Sequence, residues 1–488
     1  MMDSKSLKQV IQENIELFPG KKILSDSESM YNWDQFNFLI EDFKTIIMTS
    51  QNDTKPLIFF ASANIESIAV IAACISLNIC FVPIDPNQPL DRIYRILTSL
   101  DGEKILDPLS RQFSHQSNKL ASSKIYRTDL LYILFTSGST GEPKGVQITN
   151  DNLTNTLNWS DNYLRWQEDD KIGLVTNLFF DISIFDVMVC LTKSVPLHVV
   201  TELENPWSVM RQVQKHNITS LFSTPSLFSN LNRIQAFKES KLRRIISGGD
   251  FFPLNDIKQI QIQAPNLEIW NVWGPTETSI VNTMHQITSE ELSDSSKTYL
   301  SIGKSTHQMP INIVDHDDST VVKILPTGSI GEIMVSGKSV SPGYVNSSPE
   351  ENARFLNFQG NPSYLTGDLG FVDEEGWISI VGRSNFLIKY QGYRIDPREI
   401  EALTEREFAQ VRCCFMLLEN ERSVAYTALL IESPDAQLDL IGLIKSYLRE
   451  SVPSYMVPKL IHRVPQLPFT ANGKLDRQKC REILVSHE

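Results

Sequence analysis

Cysteine is scarce: six in 488 residues, none in a Cys-x-x-Cys spacing. Cys74, Cys80, Cys190, Cys413, Cys414 and Cys480 lie mostly in apolar contexts, and the one adjacent pair, Cys413-Cys414, is poorly placed to bridge. This excludes a disulfide scaffold or cysteine metal site and fits a reducing, cytoplasmic setting. Positive charge is also short, 45 Lys and Arg against 58 Asp and Glu for a net charge of -13, which disfavours general nucleic-acid binding. The first residues, Met1 to Lys8, lack the apolar core of a signal peptide. The most hydrophobic stretch, Leu57 to Ile84, is interrupted by Asn64, Glu66 and Asn78. It divides into Leu57–Phe60, a helical Ile65–Leu77 and Cys80–Ile84, a βαβ unit with buried parallel strands, so no membrane partner is expected. The chain also lacks a Walker A loop, because no Gly-Lys-[Ser/Thr] follows the required spacer, and its glycines miss the dinucleotide-binding spacing.

What is present is a long chain of ordinary globular composition, 41% hydrophobic and 21% charged, which implies at least two domains. Its most informative stretch is Thr136-Ser-Gly-Ser-Thr-Gly-Glu-Pro-Lys-Gly-Val146. An apolar run, Leu130–Phe135, reads as a buried strand leading into it. Gly138, Gly141 and Gly145 free the backbone to fold tightly. Thr136, Ser137, Ser139 and Thr140 supply hydroxyls and Lys144 an ammonium, a donor set suited to a polyphosphate. A flexible Ser/Gly linker would need neither the strand nor the lysine.

Residues 1–50 read as a helix, a short hairpin and a second helix, and Pro89 suits the first turn of another. Residues 101–128 read as polar and irregular, Asn152–Tyr163 as a helix and Gly173–Leu178 as a strand. Ser183 followed by Asp186 has the spacing of a capping box, so a helix is expected to begin near Ser183 with Asp181 just before it. A carboxylate there can hold a ligand cation or merely decorate a helix end; the residues alone weigh the two equally. Ser220–Ser226 reads as a strand ending in a turn, and Leu242–Asp250 as a strand that stops at Gly248-Gly249. In Asn271-Val-Trp-Gly-Pro-Thr-Glu-Thr278, Trp273 offers a flat face for a base, Asn271 an amide donor and acceptor, and Glu277 hard oxygen for Mg²⁺. Residues 299–345 read as a small β-barrel or distorted sheet. Asp368 can accept from both hydroxyls of a ribose. Beyond it, helices are expected near Pro397–Arg406 and Leu438–Arg449 and strands at Cys413–Leu418 and Ala425–Ile431. The Asn472-Gly473 turn presents Lys474.

Five of these motifs, in this order and spanning nearly the whole chain, resemble those of the adenylate-forming superfamily: acyl-CoA synthetases, luciferases and the amino-acid adenylation domains of nonribosomal peptide synthesis. The resemblance implies an α/β protein with a large N-terminal domain, 1–384, of two βα layers plus a small β-barrel, and a small mobile α+β C-terminal domain, 385–488. It implies an ATP site at Thr136, Ser137, Gly138, Ser139, Thr140, Gly141, Lys144, Gly249, Asn271, Trp273, Thr276, Asp368 and Arg383, with Mg²⁺ on Glu277. Asp181, in a Phe-Asp-x-Ser context, matches the residue that holds a substrate α-amino group. The amino-acid pocket by alignment is Ile182, Phe185, Ser226, Ile245, Ser247, Val272, Ile280 and Val281, mostly apolar and without a counter-charge, which suits a small or medium neutral side chain. Gly248 leaves chirality open. Asn385 stands at the hinge where the family has Asp, Gly392 lines the thiol path, and Lys474 joins Lys144 and Glu277 in catalysis. The implied activity is formation of aminoacyl-AMP, then transfer to the phosphopantetheine thiol of a carrier protein expected to be a separate chain. A D-alanine–carrier protein ligase, a carboxylate–CoA ligase and a non-catalytic binding protein are the alternatives.

Overall fold

The computed structural model describes residues 5–50, 55–88, 90–102, 104–115, 127–137, 143–238, 240–293, 300–315, 322–383, 388–390, 393–395, 397–419, 425–433, 439–452, 456–470 and 474–486. Two sheets dominate. One has eight strands in the order Thr283–Gln286, Glu268–Trp273, Arg244–Ser247, Ser220–Ser223, Ile172–Leu174, Leu197–Val199, Lys22–Ser25, Met30–Asn32, parallel except for the two edge strands. The other has seven, in the order Tyr344–Val345, Pro143–Thr149, Leu130–Ser137, Phe81–Ile84, Leu57–Phe60, Lys104–Asp107, Gln112–His115, and its central four are parallel.

The expected βαβ unit is present. Its helix, Ile65–Leu77, starts where the Asn64 side chain accepts from the Ser67 N–H and stops at Asn78, which is left-handed at φ 55°. Ten of its thirteen residues are buried, as are eleven of thirteen in the helix Asp181–Lys193. Helices apolar all round belong in an interior. One apolar cluster takes in both of them with Leu57, Phe81 and Tyr132 from one sheet and Leu174, Leu197 and Ile246 from the other. The two helices thus form the layer between the sheets. Each fully buried Leu or Ile contributes roughly 1.5–3 kcal/mol, so this layer carries much of the driving force.

Several expectations need correction. Residues 104–115 form a hairpin, Lys104–Asp107 with Gln112–His115, anchored by buried Ile105 and Leu106. The strand expected over 173–178 covers only Ile172–Leu174. Ser220–Ser223 runs into the helix Pro225–Arg233 rather than a turn. The helix expected near Ser183 begins at Asp181; Ser183 and Asp186 are buried, and the Ser183 hydroxyl donates to the Phe180 carbonyl at 2.6 Å instead of capping. Pro89 lies outside the described residues. Of barrel and distorted sheet, the structure has the sheet, ordered Ser301–Lys304, Trp377–Arg383, Asn361–Val372, Gly331–Ser336, Ile311–Asp315, Lys323–Ile324, with no pairing that closes it among the described residues. The expected C-terminal helices are Pro397–Glu407 and Leu440–Ser451 and the strands Arg412–Glu419 and Ala425–Glu432; a parallel strand, Leu460–Val464, and the helix Arg477–Ser486 were not anticipated.

Candidate active site

The segments that follow the C-terminal ends of four parallel strands meet in one place, where ligands of open α/β sheets bind. After Ile172–Leu174 comes Asp181, after Ser220–Ser223 Ser226, after Arg244–Ser247 Gly248-Gly249, and after Glu268–Trp273 the turn Gly274–Glu277. They line a cavity of about 530 Å³, together with Thr136, Asp368 and, from the C-terminal segment, Lys474, Arg477 and Glu405.

Asp181 is the first residue of its helix. Its Oδ1 accepts from the Ile182 N–H at 2.9 Å and its Oδ2 from the Thr276 hydroxyl at 2.6 Å. Burial pushes its carboxyl above the usual carboxylate range, opposed by the Thr276 hydrogen bond and the positive charge of Lys474. A cation brought to this carboxylate would relieve that penalty. Ile182, Ser226, Val272 and Ile280 line the cavity beside Asp181, joined by Phe222 and Pro225. Ser279 and Ile280 both have positive φ, 63° and 76°. A β-branched residue in that region is strained, and such strain persists where surrounding structure fixes it. Phe185, Ile245, Ser247 and Val281 are buried away from the cavity wall. Phe185 supports it edge-on through Phe222, 5.6 Å between ring centres, and Ile245 packs in the apolar cluster on the other face of its strand from Ile246.

On the opposite side of the cavity the Trp273 indole N–H donates to Asp368 Oδ2 at 2.9 Å, and the Asn271 amide donates to the Ser301 carbonyl at 2.9 Å. Gly249 is at φ 83°. Gly274, which the motif reading passed over, has no room for a side chain: a Cβ would lie 2.5 Å from the Ile280 carbonyl oxygen. Arg383 ends its strand in register with Asp368. Below the glycine- and hydroxyl-rich stretch, Thr136 pairs with Lys144 and Ser137 with Pro143 in adjacent antiparallel strands. Gly138, Ser139, Thr140 and Gly141 lie outside the described residues, as do Asn385 and Gly392.

Glu277 sits on a single 3-10 turn, Thr276–Thr278, and its Oε1 accepts from the Tyr344 hydroxyl at 2.7 Å. Among the described residues no three His, Cys, Asp or Glu side chains are grouped to hold a metal. One hard-oxygen carboxylate at the cavity wall fits Mg²⁺, which draws its remaining ligands from phosphates and water. Tyr344 also carries the Lys144 ammonium over its ring, 5.4 Å from the centroid. Sequence reading missed this residue, since the strand it belongs to, Tyr344–Val345, has two residues and no periodicity to read.

The C-terminal segment closes over the cavity. The Thr470 N–H donates to the Lys474 carbonyl at 2.7 Å and the Lys474 N–H to the Thr470 hydroxyl at 3.2 Å, and Lys474 lines the cavity; Asn472 and Gly473 lie outside the described residues. Its Cε lies 3.9 Å from the point a side chain on Gly249 would occupy. The Asn255 amide donates to the Glu405 carbonyl at 2.6 Å, Arg412 pairs with Asp256 at 3.2 Å, and Arg233 pairs with Glu432. Arg477 makes a bidentate pair with Glu401, at 2.8 and 2.7 Å, on the cavity wall.

A model of the AMP-binding enzyme family matches residues 11–345. The chain is 27% identical over 476 residues to a D-alanine–D-alanyl carrier protein ligase of Bacillus licheniformis, covering 92% of this chain and 93% of that protein. It is 26% identical over 501 residues to bacitracin synthase 3 of the same organism, covering 98% of this chain and 8% of that protein. Among solved structures, Klebsiella oxytoca NpsA in complex with 3-hydroxyanthranilyl-AMSN superposes with a TM-score of 0.81 at 20% identity, covering 98% of this chain and 99% of NpsA. No helix among the described residues is long and apolar enough to cross a membrane. The chain belongs to the AMP-binding enzyme family, and it is an AMP-forming, adenylate-forming ligase.

Proposed function

We propose that this enzyme activates a small or medium neutral amino acid with ATP, as aminoacyl-AMP, and passes it to the phosphopantetheine thiol of a separate carrier protein. The observation that carries this reading is Asp181: a partly buried carboxylate, held by Thr276, in a cavity whose neighbouring walls are apolar and whose lid presents Lys474. D-alanine is the first substrate to test, because relatives that align over most of their length are D-alanine–D-alanyl carrier protein ligases.

The amino acid's ammonium pairs with Asp181 and its carboxylate turns towards Lys474. Thr136, Lys144 and the loop between them hold the phosphates; Trp273, Asn271 and Gly249 frame the base; Asp368 and Arg383 hold the ribose. A carboxylate oxygen then attacks the α-phosphorus, the bond from that phosphorus to the bridging oxygen breaks, and pyrophosphate leaves. No proton moves and no protein nucleophile is used, so the rate comes from positioning and from the fixed charges of Lys474 and Lys144. Mg²⁺, held by Glu277 when bound, neutralises developing phosphate charge. Residues 385–488 then turn about Asn385 and withdraw Lys474, and the thiol enters past Gly392. Its sulfur attacks the acyl carbon, AMP leaves, and the thiol proton passes to solvent.

Amino-acid-dependent ATP–pyrophosphate exchange over the twenty L-amino acids, D-alanine, β-alanine and short fatty acids tests the reading. Exchange with one neutral amino acid, lost in Asp181→Ala, supports it. Exchange only with acids that lack an amino group overturns it in favour of a carboxylate–CoA ligase, since Asp181 would then face an uncharged acyl chain.

A further inference from the structure

We propose that Tyr344 is a positioning residue that sets the Glu277 carboxylate and the Lys144 ammonium together for Mg·ATP. The inference rests on the functional reading above. The phenol touches both groups: its hydroxyl donates to Glu277 Oε1 at 2.7 Å and its ring lies under Lys144 at 5.4 Å. A hydrogen bond to an ionised carboxylate is about twice as strong as a neutral one, and a cation over a tyrosine face is worth roughly 0.5–2 kcal/mol.

The surroundings fix the phenol in one pose. Tyr344 pairs with Val146, and Val345 with Gly145, in the strand that carries Lys144. A side chain on Gly145 would meet the Val345 side chain at 3.0 Å, so Val345 packs over Gly145. The Ser341 N–H donates to the Glu277 carbonyl at 2.9 Å, and the Ser341 hydroxyl donates to the Gln147 carbonyl at 2.7 Å. Residues 341–345 are therefore stitched both to the turn that bears Glu277 and to the hairpin that bears Lys144. The Tyr344 ring packs edge-on against Phe355, 5.2 Å between centres, and its hydroxyl lies 3.2 Å from that of Tyr364.

This explains how a carboxylate on one three-residue turn and a lysine on a separate hairpin keep a fixed relation: both are referenced to the same side chain. Without the hydroxyl, Glu277 still reaches the cavity but loses its preferred orientation.

The test separates the hydroxyl from the ring. Tyr344→Phe keeps the ring, its packing and the Lys144 contact; Tyr344→Leu loses all three. ATP binding is titrated by calorimetry over a series of Mg²⁺ concentrations, with exchange kinetics in parallel. For Tyr344→Phe the Mg²⁺ midpoint rises about tenfold, the worth of one charge-assisted hydrogen bond, ATP binding without Mg²⁺ is unchanged, and kcat returns at high Mg²⁺ with the amino-acid KM unmoved. For Tyr344→Leu, ATP binding without Mg²⁺ also weakens. A wild-type Mg²⁺ midpoint in Tyr344→Phe overturns the proposal, as does an equal loss with and without Mg²⁺, which would mark a merely structural role. If the wild type binds Mg·ATP but exchanges with no amino acid, the functional reading fails while the titration still decides Tyr344. If Tyr344→Leu does not fold, as its melting temperature would show, Tyr344→Phe alone decides.

Discussion

The Thr276 hydroxyl donates to Asp181 Oδ2 at 2.6 Å, joining residues 95 positions apart in sequence. This bond offsets part of the burial penalty that raises the Asp181 carboxyl. In Thr276→Val the carboxyl rises further. The acid limb of the kcat/KM profile for the amino acid should move to higher pH. Exchange rates measured between pH 5 and 9 check this, and an unmoved limb would contradict it.

Asp181→Asn is expected to trade activity for stability. A carboxyl raised by burial binds its proton more tightly in the folded chain than in the unfolded one. Its stabilising contribution is present below the ordinary carboxylate range and is lost as pH rises through the elevated value. The amide carries no such penalty. Exchange should fall by about a hundredfold or more, in line with roughly 3 kcal/mol for a lost buried ion pair. The melting temperature at pH 8 should equal or exceed that of the wild type.

Lys474→Met should separate binding from chemistry. The lysine lines the cavity and is exposed. Calorimetry should show ATP binding within a fewfold of wild type. The kcat of exchange should fall by about a thousandfold, the usual loss when one preorganised charge at a transition state is removed.

Glu405 should make stability fall with pH. Burial raises its carboxyl to about 8, with the Cys413 N–H and Arg412 opposing and Glu401 and Asp256 adding to the rise. Its contribution is complete below the unfolded value of about 4.3 and has been lost once pH passes about 8. Glu405→Gln keeps an oxygen for the Cys413 N–H, now 3.0 Å from Oε1. The variant should melt at nearly constant temperature from pH 6 to 9 while the wild type declines.

Gly274→Ala should be severely destabilising. The added carbon would fall 2.5 Å from the Ile280 oxygen and 2.8 Å from the Val281 Cα, both backbone atoms. Overpacking against backbone costs about 1–3 kcal/mol or more, measurable as a lowered urea midpoint.

How much of this was legible in the sequence depended on how local the signal was. The βαβ unit announced itself through its apolar runs. The start of the helix at Asp181 was misplaced because Ser183 and Asp186 imitate a cap by spacing alone; both turn inward, where spacing carries no information. The hairpin 104–115 hid because most of its residues are polar and, among the described residues, only Ile105, Leu106 and Pro108 are buried. Tyr344 could not be found at all. Its meaning lies in a bond to Glu277, 67 residues away, and the register that brings them together is a property of the folded sheets. Ile245 and Ser247 share the converse problem: alignment named them, but strand alternation turns them away from the cavity.

The helix layer between the two sheets also sets a schedule for synthesis. Ile65–Leu77 emerges from the ribosome about 170 residues ahead of Arg244–Ser247, a central strand of the eight-stranded sheet. At about 5–20 residues per second that is on the order of ten seconds or more. Throughout that interval this almost wholly apolar helix has the earlier helix Trp33–Ser50 to pack against while the second sheet is incomplete. Nascent chains of this enzyme should therefore be clients of ribosome-associated chaperones, and a fragment ending near residue 164 should be insoluble where the full chain is not.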